Sequence, residues 1–214
     1  MTGEFSRTDV AETRPIKAEN YRNIKPERDM SVKELNNAVS NEFSNAAKEV
    51  DNTKEYRDDN GVKYREGNEL VPNIEFEKNG YKYKTDEQGR VISAEGELQV
   101  KDHEGRSDMD SRAAVDKGEM RESDDRGHLI ADRFNGSGGI ENLVPMDSEL
   151  NQHGDYQKME NTLADAMKDG ATVELRVEPK YDGDSTRPSE FCVSYSIDGE
   201  KEVVVFKNES EAKS

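Results

Sequence analysis

Apolar positions recur along this chain in two rhythms, and the change between them falls near Gly61. Residues 1–60 are polar except over Ser31–Val50, where Val32, Leu35, Val39, Phe43, Ala46, Ala47 and Val50 recur at helical spacing behind Ser31 as a cap. That spacing predicts one amphipathic helix. From Gly61 the pattern becomes short alternating runs broken by turn residues: Glu75–Glu77, Tyr81–Lys84, Val91–Ser93 and Glu97–Val100, with Asn79-Gly80 between the first two. Near the end, Thr172–Val177, Glu190–Ile197 and Glu202–Phe206 repeat the pattern, with Asp198-Gly199 between the last two. Asn-Gly and Asp-Gly between short runs predict hairpins, so both groups read as antiparallel strands.

The segment between these groups has its own order. Arg126–Phe134 predicts a strand, Gly136–Gly139 a loop, Asn142–Met146 a second short strand, and Asp147–Lys168 a helix ending at Gly170. On that helix Tyr156, Met159, Leu163, Ala166 and Met167 form one apolar stripe, which reads as core. Together the elements predict an α+β domain over residues 61–208, with a mixed or antiparallel sheet. A polar helical or extended region, 1–60, is expected before it and a disordered tail, 209–214, after it.

Composition sharpens this picture. Only 31% of the 214 residues are hydrophobic while 37% are charged, so the core must be concentrated in one part of the chain. No run approaches the roughly 18 apolar residues of a membrane span, and no basic-then-apolar signal peptide opens the chain. The single cysteine, Cys192, forms no internal disulfide and leaves the redox compartment open.

A net charge of −17 argues against a nucleic-acid substrate, because phosphate binding normally leaves a basic footprint. The objection is met locally: Arg106, Arg112, Arg121, Arg126 and Arg133 fall in one short stretch. A bound divalent cation would add further positive charge there.

Of three histidines, His103 lies in a charged turn and His153 beside Gly154 near a helix start, and both read as surface residues. His128 differs. It follows Asp125-Arg126-Gly127 and precedes Leu129-Ile130-Ala131, so its imidazole is set between charge and apolar chain and is suited to accept a proton near pH 7. Asn142, Asn151 and Glu160 follow on the second strand and the helix, where an amide oxygen and a carboxylate suffice for a hard cation that keeps most of its waters. A base, a cation and a guanidinium are the parts phosphodiester hydrolysis needs.

The run Asp125-Arg126-Gly127-His128-Leu129, then Asn142-Leu143-Val144-Pro145-Met146, Leu150-Asn151-Gln152 and Met159-Glu160-Asn161, resembles the DNA/RNA non-specific endonucleases. Four motifs in order, over about residues 106–165, are far more specific than the tetrapeptide alone. The resemblance implies a ββα-metal motif embedded in the α+β domain and cleavage of DNA or RNA with little sequence specificity. It implies His128 as general base, Asn151 as the direct ligand of Mg²⁺ or Mn²⁺, and Glu160 assisting the metal through water. Arg126 joins the catalytic set. Asp125, Asn142, Arg106 and Arg112 have substrate-binding or structural roles, with Asp125 read as holding the turn and pairing with an arginine, and Asn142 as steadying the loop, orienting His128 or capping backbone.

The Gly136-Ser137-Gly138-Gly139 loop further resembles the versions at the C-termini of bacterial polymorphic toxins. That implies a secreted or delivered effector acting in a target-cell cytoplasm, and a cognate immunity protein as partner. One spacing departs from the pattern. Asn151 and Glu160 are nine residues apart, and at about 100° per residue an unbroken helix would point them in opposite directions. An irregular turn at Gln152-His153-Gly154 resolves the conflict. A competing reading, an acidic nucleic-acid-mimicking inhibitor or immunity-like binding protein, explains the charge but not the cluster around His128.

Overall fold

A computed structural model describes residues 54–101 and 119–209. The expected helix at Ser31–Val50, Arg106, Arg112, His103 and all but the first residue of the C-terminal tail lie outside these residues.

Among the described residues, eleven strands and two α-helices build an α+β fold. A small antiparallel sheet contains β1 (Glu55–Arg57), β2 (Lys63–Glu66) and β3 (Glu69–Leu70). β1 pairs with β2, so the strand pattern begins ahead of Gly61. The main sheet is antiparallel and six-stranded, formed by β4 (Glu75–Lys78), β5 (Tyr81–Thr85), β6 (Val91–Glu97), β9 (Val173–Tyr181), β10 (Pro188–Ile197) and β11 (Glu200–Lys207), in the order β11-β10-β9-β6-β5-β4. Its two predicted hairpin turns have both residues left-handed, with φ of 54° and 79° at Asn79-Gly80 and 50° and 89° at Asp198-Gly199. Asn, Asp and Gly tolerate that conformation at the least cost. An aromatic ladder of Tyr64, Phe76 and Tyr83, with ring centroids 4.7 and 5.4 Å apart, joins the two sheets.

β6 and β9 are neighbours in the sheet, yet the chain between them is long and carries a separate unit. That unit is a two-stranded antiparallel ribbon, β7 (Asp124–His128) and β8 (Leu143–Asp147), followed by α1 (Ser148–Gln152) and α2 (Asp155–Lys168). Tyr156, Met159 and Leu163 on α2 are buried, and the Tyr156 ring meets Phe191 and Phe206 of the sheet edge-on at 5.9 and 5.2 Å. Of the stripe predicted as core, these three are core, and Ala166 and Met167 pack against it half-buried.

Three boundaries depart from expectation. The strand expected over Arg126–Phe134 stops at His128, and Asp132–Phe134 is instead a 3-10 turn closed by left-handed Asn135. The apolar Leu129-Ile130-Ala131 run is buried as loop, its backbone satisfied by Asn142 rather than by a strand partner. Of the runs Val91–Ser93 and Glu97–Val100, the first and Glu97 lie in one strand, β6, while Leu98–Val100 lie outside it; β6 passes through Gly96, where the Tyr81 ring lies at the place of a Cβ. Lastly, the helix expected over Asp147–Lys168 is two helices, parted at His153 and Gly154, within the irregular turn that the Asn151–Glu160 spacing called for.

Candidate active site

The ribbon and its two helices carry the motif residues. Gly127 is needed on β7 because a Cβ there would come 2.5 Å from the Met146 Cβ on the facing strand. Asn142 sits just before β8 and is fully buried. Its Oδ1 accepts from Ile130 N at 2.9 Å, its Nδ2 donates to the carbonyls of Ile130 and Ser137 at 2.8 Å each, and its own carbonyl accepts from Leu129 N. Asn142 thus fixes the chain directly after His128 by bonding backbone.

At the turn from β8 into α1, the Asp147 carboxylate caps the helix, accepting from the backbone of Glu149 and Leu150. One turn on, Asp125 Oδ2 accepts from Asn151 Nδ2 at 3.2 Å and from Gln152 Nε2 at 2.5 Å. Partial burial opposes ionisation of Asp125, but donors on Gln152, Asn151 and Ser148 outweigh it and hold the carboxyl below its ordinary value. An ionised carboxylate only accepts, so Asn151 must turn its NH₂ toward Asp125. Its carbonyl oxygen is left for another partner, and it is the end a hard cation takes.

The break between the helices alters the relation of Asn151 to Glu160. Gly154 is extended at φ −87° and ψ −167°, so helical phase does not run from one residue to the other. Glycine serves there by allowing close approach, since a Cβ would lie 2.8 Å from Leu150 Cα and 3.0 Å from the Glu149 carbonyl oxygen. On α2 the Glu160 carboxyl is desolvated enough to push its pKa up to about 7, against the opposing charge of nearby Arg133.

His128 ends β7 opposite Leu143 and is partly buried. The next carbonyl, Leu129 O, accepts from Tyr156 Oη at 3.0 Å, and Tyr156 stands one helical turn before Glu160. The strand end bearing His128 is thereby fastened to the helix bearing Glu160. Direct hydrogen bonds join Asp125, Asn151 and Gln152, and charge couples Arg133 to Glu160. His153, on the C-terminal end of α1, is exposed.

The arginines divide sharply. Among the described residues Arg57, Arg90, Arg176 and Arg187 are ion-paired with carboxylates. Arg121, Arg126 and Arg133, all in the stretch around His128, have no such pair. Asp125 bonds amides, and the arginine pairing falls on its neighbour: Arg187 binds buried Asp124 with two bonds of 2.8 and 2.7 Å. Arg187 also donates to the carbonyl of Asn208, whose Oδ1 accepts from Asp147 N and whose Nδ2 donates to Pro145 and Pro188. This clamp ties Asp124 and Asp147, paired across the ribbon, to the end of β11. Arg187 and Asn208 carry no local sequence signal, because their partners lie some sixty residues away. Arg133 could have been read from its place between His128 and the Glu160 helix.

Strand, strand and helix thus carry a partly buried histidine, an oriented asparagine and a desolvated glutamate as one candidate site. A family model for DNA/RNA non-specific endonucleases matches residues 72–199, more than half of the chain. The chain belongs to that family. It is 33% identical over 142 residues to the type VII secretion system protein EssD of Staphylococcus aureus USA300, and equally so to its counterpart in strain NCTC 8325, covering 63% of this chain. The chain matches only 23% of the length of those relatives. Among solved structures, NucA from Streptococcus agalactiae with magnesium ion bound is 18% identical, with a TM-score of 0.49 over 80% of this chain and 90% of that one. The Sda1 nuclease with bound zinc ion is 21% identical, with a TM-score of 0.48 over 60% and 75%.

Proposed function

We propose that this chain hydrolyses phosphodiester bonds in DNA and RNA with little sequence preference, using a divalent cation. The observation that carries the reading is the Asp125–Asn151 hydrogen bond, which leaves the Asn151 carbonyl oxygen as a preset donor on α1. Family membership supports the substrate class. In this reading His128 takes the proton of a water that adds to phosphorus as the bond to the leaving oxygen breaks. Arg126, two residues earlier and without a carboxylate partner, holds a non-bridging phosphate oxygen. Asn151, with Glu160 acting through water, would hold Mg²⁺ or Mn²⁺; the oxygen donor set suits such hard cations. When bound, the cation would offset the charge that builds on the phosphate and leaving oxygen. Asp125 orients Asn151, and Asn142 steadies the chain behind His128.

Plasmid nicking in Mg²⁺ or Mn²⁺, with and without chelator, tests the proposal. Cleavage should require the cation, and His128→Ala should slow it by at least about 100-fold. Asn151→Ala should reduce it strongly and raise the cation concentration needed. Wild-type protein that leaves DNA and RNA intact across a series of divalent cations would sink the reading.

We further infer that this is the toxic domain of a delivered antibacterial effector, held in check by an immunity protein. Its likeness to one part of a type VII secretion system protein supports this. Expression inside a bacterial cell should arrest growth and degrade nucleic acid, while the His128→Ala form is tolerated. Equal tolerance of both forms would count against it.

A further inference from the structure

We infer that Arg133 and Asn161 form a binding pair for a backbone phosphate flanking the one that is cut. The inference rests on the nuclease reading above and extends it to Arg133, which lies outside the motifs. Arg133 is exposed on the Asp132–Phe134 turn, and its Nη1 donates to Asn161 Oδ1 on α2 at 2.8 Å. Asn161 directly follows Glu160, so the guanidinium stands at that end of the site. Its charge is felt at the Glu160 carboxyl.

The choice of partner is informative. Arg176 is similarly surface-placed but is neutralised by Glu95 and Glu178. Arg133 is held by a neutral amide, which orients the guanidinium without a direct ion pair, while Glu160 and Asp165 feel its charge from farther off. One of its five N–H donors is used, and the rest can reach a phosphate in the fork geometry that arginine offers.

The turn beneath it is pinned. Phe134 is buried and its carbonyl accepts from Tyr81 Oη, while the Asn135 carbonyl accepts from Asn79 Nδ2 at 3.0 Å. A side chain on a fixed base and tied at its tip loses little freedom on binding. In a chain of net charge −17, an ordered guanidinium without a direct ion pair beside the candidate site is a preformed phosphate contact.

The test uses the full chain carrying His128→Ala, so that DNA survives, with anisotropy of a labelled 20-nucleotide duplex read at several salt concentrations. Adding Arg133→Ala should weaken binding roughly fivefold and lower the log–log salt slope by about one. Arg133→Lys should keep the slope and recover part of the affinity, and Asn161→Ala should weaken binding with the slope unchanged. Arg57→Ala, at an arginine already paired with Glu55, controls for general charge and should change neither. An Arg133→Ala form matching its parent in affinity and slope would overturn the inference. Dependence on Arg133 in a protein whose wild type cuts nothing would instead overturn the nuclease reading and leave this contact standing.

Discussion

Burying the Glu160 carboxyl carries a cost to folding. Its pKa is raised from 4.5 to about 7 by burial, so the folded chain binds that proton more tightly than the unfolded chain does. Below about pH 4.5 both states hold the proton and there is no penalty. Between there and pH 7 the unfolded state ionises first, and stability falls as pH rises. Above pH 7 the full cost, on the order of 3 kcal/mol, bears on the fold. Glu160→Gln should therefore raise the melting temperature in chelator at pH 8 and scarcely change it at pH 4.5. A gain of the same size at both values would contradict the shift. Asn142 pulls the other way: Asn142→Ala strands an N–H and two carbonyls in the core and should cost about 2–4 kcal/mol in urea unfolding.

The break between α1 and α2 frees Asn151 and Glu160 from a common helical phase. Gly154→Ala should push α1 away from α2 and lower nuclease activity more than thermal stability; full activity with unchanged cation demand would refute that role. The break is also instructive about what residues disclose on their own. Hairpins at Asn79-Gly80 and Asp198-Gly199 were legible because their conformations are decided within two residues. The α2 stripe was legible because Tyr156, Met159 and Leu163 repeat at helical spacing. The strand end at His128 was not, since Leu129-Ile130-Ala131 looks like a continuing strand until Asn142, twelve residues later, takes up the backbone of Ile130. The motif residues were readable from their order. The groups that hold them in place, Arg187 and Asn208, act across distances that no local pattern encodes.

At the scale of the molecule, among the described residues of a strongly acidic chain, Arg121, Arg126 and Arg133 have no carboxylate ion pair while Arg57, Arg90, Arg176 and Arg187 each have one. Its net charge therefore says little about the surface that nucleic acid would meet. The Asp124–Arg187–Asn208 clamp is a second whole-molecule property. Burial alone would favour a protonated Asp124, but the Arg187 guanidinium and the Arg121 backbone amide hold its pKa below the ordinary value. That contribution is present above the usual carboxylate range and is lost as acid protonates Asp124. Arg187→Ala leaves a buried carboxylate without its partner and should cost about 3–5 kcal/mol in urea unfolding, with a smaller loss at low pH than at neutral pH. Because Asn208 closes this clamp from beyond β11, a polypeptide emerging in order from a ribosome holds the ribbon and both helices before the residue that ties them down arrives. Final tightening of this unit should therefore wait until that late segment is released.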